Sequence, residues 1–167
     1  MQIRAEKESD ISAVYSLNAS TFQRSAEADL VDALRRQARP IVSLVAERET
    51  IVVGHILFSP VSLEGWRDLK IMGLAPMAVA SQHQRSGIGS ALVRAGLEQC
   101  KKLGISAVVV LGHPEYYPRF GFLRSTRFNI RSEYDVPEEA FMVVEFEPGA
   151  LRGASGRIKY HPAFSHV

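Results

Sequence analysis

A chain of 167 residues is about one domain's worth and is long enough to bury a sizeable core. Its 46% hydrophobic and 23% charged residues are ordinary globular proportions, which excludes intrinsic disorder. Twenty Lys and Arg against 18 Asp and Glu leave a formal charge of +2, too little for a polyanion-binding surface, and the lone Cys100 excludes an intrachain disulfide or a CxxC motif.

The N-terminal MQIRAEKESD has no apolar signal-peptide core, and no apolar run approaches the roughly 18 residues of a membrane span, so a cytoplasmic chain without a membrane partner is expected. Ile3 and its neighbours predict a short strand. Ser9 then caps a helix carrying Ile11, Val14, Tyr15 and Leu17, and Ser25 caps a second running to Gln37, with Leu30, Val31 and Leu34 on its apolar face and Pro40 ending it. Val42 to Glu47 and Ile51 to Val61 are β-branched runs that predict a hairpin.

Ser62 to Lys70 reads as a polar connection, and Ile71 to Ala80 as a fourth strand with a bulge or an edge position at Pro76, since proline donates nothing to a ladder. Ile88, Ala91, Leu92 and Ala95 mark a helix from Gly87 to Leu103, closed by Gly104. Ala107 to Leu111 is wholly apolar, as in a strand covered on both faces. An irregular aromatic stretch follows, then a strand from Phe141 to Phe146 and a Gly-rich tail from Pro148. Hairpins followed by a strand, helix, strand crossover predict a mixed α/β sheet, antiparallel early and parallel around the Gly87 helix.

Gln84, Arg85, Ser86, Gly87, Ile88, Gly89 and Ser90 form a Gly-rich turn that opens a helix. The free N–H groups of a first turn, the helix dipole and the missing Cβ atoms together suit a phosphate or pyrophosphate. Leu92 stands where a Rossmann fingerprint needs glycine, and no Gly-Lys-Ser/Thr is present, which weakens both nucleotide readings; a plain tight turn is the rival reading. One helix and one strand later come Tyr117, Pro118, Arg119, Phe120, Gly121 and Phe122.

The pairing of Gln84, Gly87 and Gly89 with Tyr117, Gly121 and Phe122 resembles the GNAT superfamily of N-acetyltransferases. The run His113 to Phe122, and Gly156 to Tyr160 with Phe164, are similar to its YhbS-like branch, so the resemblance covers almost the whole chain. It implies one acyl-CoA N-acyltransferase domain over 1–167, with 148–167 an extension packing on it. It also implies a GNAT-like, mostly antiparallel mixed sheet with flanking helices and a splayed parallel pair near 71–80 and 107–112.

The activity implied is direct transfer of acetyl from acetyl-CoA, as co-substrate, to a primary amine on a small molecule or peptide. The amides of Arg85 to Ser90 would hold the coenzyme's pyrophosphate with Gln84, and Met77, Ala78 and Val79 would offer backbone groups to its pantetheine arm. An N–H near Val79 would face the oxyanion, and Tyr117 would protonate the leaving thiolate; by residue type alone Tyr117 would be a packed aromatic.

For the base that deprotonates the amine, Glu115 and His113 rank ahead of Glu27 and Asp29, against the rival reading of ordinary surface residues; the stretch Ile71 to Ala80 holds no carboxylate. His55, His83, His161 and His166 lack metal-site spacing, so no metal is expected. Cys100 beside Lys101 and Lys102 reads as a buried hydrophobe in preference to a nucleophile. A homodimer fits the resemblance. Two alternatives are a non-catalytic acyl-CoA sensor and base stacking by Phe120, Phe122 and Phe128 among Arg119, Arg124, Arg127 and Arg131; the second loses to solvated arginines at so small a net charge, and no nucleic-acid partner is expected.

Overall fold

The computed structural model describes residues 1–167. Its strands are β1 (Gln2–Ala5), β2 (Val42–Arg48), β3 (Ile51–Leu63), β4 (Trp66–Val79), β5 (Ala107–Leu111), β6 (Leu123–Arg124), β7 (Ile130–Ser132), β8 (Phe141–Glu145) and β9 (Gly156–Lys159). Three helices, α1 (Ile11–Phe22), α2 (Ala26–Gln37) and α3 (Ile88–Lys102), accompany them. Strand pairing runs β1-β2-β3-β4-β5-β8-β6, with β9 beside both β3 and β7. No helix is long and apolar enough to cross a membrane. The chain divides into two compact units, Met1–Ser59 with Ala75–Gln99 and Pro162–Val167, and Pro60–Leu74 with Cys100–His161.

In the first unit, β1, β2 and β3 pair antiparallel, and β2 turns into β3 through Glu49 and Thr50, both at positive φ (51° and 68°). That is the conformation whose twist matches a two-residue hairpin. Val14 of α1, Leu30, Val31 and Leu34 of α2, Val45 and Leu57 form one core, with Phe164 packed against it. Leu57 and Phe58 point to opposite faces of β3. Phe58 lies against Gly96 of α3, where an added Cβ would fall 2.1 Å from its ring. Both faces of β3 are thereby covered, which is why its residues from Val53 to Ser59 are all buried.

Ser9 does not cap α1. It lies in a 3-10 turn at Glu8–Asp10, where Asp10 accepts the Lys7 N–H at 2.7 Å and takes both nitrogens of Arg4 at 2.7 and 3.0 Å. A carboxylate that meets an arginine and a backbone donor outcompetes a hydroxyl for this turn. Ser25 occupies the N-cap of α2, but through its carbonyl, which accepts the Asp29 N–H at 2.8 Å, and its side chain makes no cap bond.

A buried polar chain crosses this unit. His55, fully buried on β3, meets Asn18 Nδ2 through Nδ1 at 3.2 Å and Ser43 Oγ through Nε2 at 2.9 Å. Ser43 Oγ in turn donates to Glu6 at 3.0 Å, and Glu6 is paired with Arg35. Since Ser43 gives its proton to Glu6, its oxygen accepts from Nε2, while Nδ1 accepts from the Asn18 amide. The ring is therefore neutral, and burial drives its pKa down to about 3.

In the second unit, Ile71–Leu74 of β4 runs parallel to Ala107–Val110 of β5, and β5 and β6 pair antiparallel with β8. Val61, Leu63, Ile71, Val109, Phe141 and Ile158 are among its core residues. The expected polar connection at Ser62 to Lys70 is instead the end of β3, a two-residue turn and the start of β4, with Gly65 at φ +86°. Val61 and Leu63 are buried while Ser62 and residues 64 to 68 are exposed, so one solvated face supplied the polar composition. A second parallel pair, β7 with β9, draws the tail into the sheet.

The parallel pairing of β4 with β5 stops at Leu74 and Val110, just before Ala75–Pro76, which is a cis bond. At the end of α3, the Ile105 N–H reaches Cys100 C=O and the Gly104 N–H reaches Lys101 C=O, both at 3.1 Å, with Gly104 at φ +80°. This is a Schellman closure.

Candidate active site

The anion-binding reading concerns one short stretch of the first unit. After β4 the chain makes a 3-10 turn at Ser81–His83 and then enters α3. Gln84 Nε2 donates to Val79 C=O at 3.0 Å, which folds the turn back onto the strand end, and Ser86 Oγ donates to His83 C=O. Arg85 (φ +62°) and Gly87 (φ +88°) take left-handed conformations, and nothing stands within 4 Å of where a Gly87 Cβ would be. Arg85, Ser86 and Gly87 are exposed, Gly89 and Ser90 half-buried, and Ile88 buried as the first apolar anchor of α3.

The first helical bond of α3 runs from Ala91 N–H to Gly87 C=O at 3.0 Å, so the amides of Ile88 and Gly89 stand ahead of the ladder. An uncluttered glycine, a positive helix end and amides outside the helical ladder can bind an anion. Met77 and Val79 are half-buried and Ala78 is buried on β4. The Val79 carbonyl already accepts the Gln84 amide, leaving it one lone pair.

Tyr117 lies in the second unit, in a 3-10 turn at Tyr117–Phe120 whose entry bonds run from the Tyr116 and Tyr117 N–H groups to His113 C=O. Its ring packs edge-on against Tyr116 and Phe122, with centroids 5.0 and 5.7 Å away. A Cβ on Gly112 would sit 2.4 Å from the Tyr117 ring. Only glycine admits the ring there. Sequence reading passed over Gly112, because a glycine just after a strand usually marks a turn, and the contact depends on how the following loop folds back.

Burial, with a smaller contribution from Tyr116, pushes the Tyr117 phenol up to about 12. The buried side-chain oxygens without a partner are Asn18 Oδ1 and Ser59 Oγ. The Tyr117 hydroxyl has no partner in the protein and is not one of these, so it reaches solvent. Ring buried and oxygen free, Tyr117 is a protonated donor available to a ligand.

The base candidates are arranged less favourably. His113 and Glu115 are exposed, and the structure brings neither side chain into a hydrogen bond. Glu27 is buried but pairs with Arg24, which donates from Nε at 2.9 Å and from Nη2, and this pairing holds its carboxyl below its ordinary range despite burial. Asp29 accepts the Tyr15 hydroxyl at 2.8 Å. The longer β4 does carry a carboxylate, Asp68, exposed near the turn at Gly65.

Cys100 is fully buried with Sγ 3.7 Å from Met72 Sδ, and burial pushes its thiol up to about 12, as expected of a buried hydrophobe. Phe122 is buried and Phe128 packs on the core of the second unit, so two of the three phenylalanines proposed to stack bases face inward. Arg119 lies 4.5 Å over the Tyr116 ring and donates to the Tyr116 carbonyl.

A family model described as an acetyltransferase (GNAT) domain matches residues 2–124. The chain is 37% identical over 166 residues to the uncharacterized N-acetyltransferase YhbS of Escherichia coli K12, with 99% of each covered. It matches the crystal structure of E. coli YhbS in complex with CoA at a TM-score of 0.92 and 35% identity, over 98% of this chain and 91% of that one. A GNAT family acetyltransferase from Brucella melitensis, in complex with acetyl-CoA, matches at 0.80 and 33% identity, over 98% and 97%.

Proposed function

Because the chain belongs to the GNAT acetyltransferase family, we propose that it transfers an acetyl group from acetyl-CoA to a primary amine by direct attack, as one N-acyltransferase domain over 1–167. The observation that carries this reading is Tyr117, a phenol kept protonated by burial, with its oxygen free of any partner. The open cradle fits the anionic end of the coenzyme, and two relatives above 30% identity are described as complexes with CoA or acetyl-CoA.

In this reading the amides of Arg85 to Ser90, ordered by Gln84, hold the pyrophosphate, and Met77, Ala78 and Val79 line the pantetheine arm. The amine nitrogen bonds to the thioester carbon as the carbon–sulfur bond breaks. An ordinary thiol has a pKa near 8.5. A phenol at about 12 holds its proton more tightly than the departing sulfur does. Tyr117 therefore acts as a hydrogen-bond donor to the charge developing on sulfur, and any proton the thiolate takes from it as the bond breaks is returned to the phenol from water.

Glu115 and His113, exposed on the loop that carries Tyr117, take the proton lost by the amine. Exposure keeps them accessible to water, which suits relay better than direct abstraction. The acceptor is a small molecule or a peptide amine, and the protein is cytoplasmic and forms a homodimer.

Tyr117→Phe tests the reading. Turnover should fall about 100-fold to 10,000-fold, the usual range for a general acid. Acetyl-CoA affinity measured by calorimetry should stay unchanged, and unaltered turnover would remove Tyr117 from the mechanism.

A further inference from the structure

His83 is the histidine nearest the cradle in sequence, and no step above uses it. Its Nδ1 stands 3.3 Å from Arg48 Nη1. A guanidinium can only donate, so Nδ1 accepts and the ring proton is on Nε2. This contact joins the turn before α3 to the end of β2, and Arg48 is well placed to hold it. Arg48 pairs with Ile51 across the Glu49–Thr50 turn, so its side chain starts from a fixed backbone position.

The turn has little other external anchorage. From Ser81 to Gly87 every residue is exposed or half-buried, and its remaining ties, such as Gln84 to Val79 and Ser86 to His83, stay within the segment 79–91. The Ala80 N–H to Val53 C=O bond, at 2.9 Å, fixes only its first residue.

Arg48 also differs from the arginines of this unit that form ion pairs. Arg4, Arg24 and Arg35 each lie on carboxylates, whereas Arg48 is half-buried with no carboxylate in ion-pair reach, its partner being a neutral ring nitrogen. Its charge is not cancelled.

Resting on the coenzyme reading above, we propose that Arg48 is a positioning residue for the phosphate end of the coenzyme. Through His83 it fixes the Ala80–Gly87 turn, and its uncompensated charge favours the anion held by the amides that follow. Arg48 acts on binding alone and takes no part in acetyl transfer.

The test compares wild type, Arg48→Met, Arg48→Lys and His83→Phe by calorimetric titration with acetyl-CoA from low to high ionic strength. Arg48→Met should raise Kd roughly tenfold at low salt, with the gap closing as salt screens the missing charge. Arg48→Lys should keep the wild-type salt slope. His83→Phe should weaken binding without changing that slope, since the charge remains.

The KM for acetyl-CoA should follow Kd in all three variants while kcat stays at the wild-type value. Equal Kd for wild type and Arg48→Met at low salt, or parallel salt lines, overturns the proposal. Should Arg48→Met fail to fold in a thermal melt, unchanged binding by His83→Phe overturns it equally well. Wild type that binds no acetyl-CoA at any salt defeats the transferase reading itself, an outcome distinct from either of these.

Discussion

At the scale of single residues, Tyr117 depends on Gly112 more than on its own neighbours. The ring fits only because residue 112 has no side chain, with an added Cβ 2.4 Å from it. Gly112→Ala must move the ring, and with it the hydroxyl on which the proposed chemistry relies. We expect a turnover loss approaching that of Tyr117→Phe with acetyl-CoA affinity retained, and a double variant no worse than the poorer single one, because both changes remove the same interaction. Additive losses in steady-state kinetics would show that Gly112 acts elsewhere. The raised phenol carries a second expectation. With its pKa at about 12, Tyr117 stays protonated through pH 10, so an alkaline fall in kcat below that pH belongs to another group and must persist in Tyr117→Phe. The motif that carries Tyr117 was visible in the sequence because it is local. The Gly112 contact with Tyr117 and the Arg48 contact with His83 were not, because each exists only once the chain has folded.

At the scale of elements, what the sequence made plain were periodic segments with one environment along their length. Leu30, Val31 and Leu34 repeat at helical spacing, and α2 ends at Gln37 as expected. The Ala107 to Leu111 run is β5 to the residue. The hairpin of β3 and β4 was misread where the environment changes along a strand, since residues 62 to 70 put their charges on a solvated face and left too few apolar residues to show a period of two. The packing of α3 was hidden for a different reason. Gly96 looks like a weak point in a helix, yet its bare backbone receives the Phe58 ring, and a methyl there would overlap a ring carbon at 2.1 Å. Gly96→Ala should therefore destabilise by about 1–3 kcal/mol, although alanine is the better helix former. Gly87→Ala meets no neighbour, and only its positive φ opposes it, at about 1 kcal/mol. Urea unfolding of the two variants should rank them in that order, and the reverse order would mean that α3 shifts freely over Phe58.

At the scale of the whole molecule, composition and motif order together made the fold class legible, while the buried polar chain through His55 was silent in the sequence. One histidine in a β-branched run reads the same whether it is exposed or enclosed. Its enclosure sets how the protein responds to acid. His55 is neutral in the folded state with its pKa lowered to about 3, while an unfolded histidine titrates near 6.5. Between these values the unfolded chain binds the extra proton, so stability rises with pH across the window and is lost as pH falls from about 6.5 toward 3. The limiting slope is about 1.4 kcal/mol per pH unit for one such group. Asp10, held by Arg4 at a pKa of about 2 against an ordinary 3.8, has the same sign, but its contribution is lost only below about pH 4. The interval from pH 6.5 to 5 thus isolates the histidine. His55→Gln keeps an acceptor for Asn18 and a donor for Ser43 but cannot titrate. We expect it to be less stable than wild type at pH 7 and to lose far less stability from pH 6.5 to 5 in urea titrations. Parallel losses in the two proteins would mean that His55 opens to water before it protonates, and that the Asn18, Ser43 and Glu6 contacts do not hold it neutral.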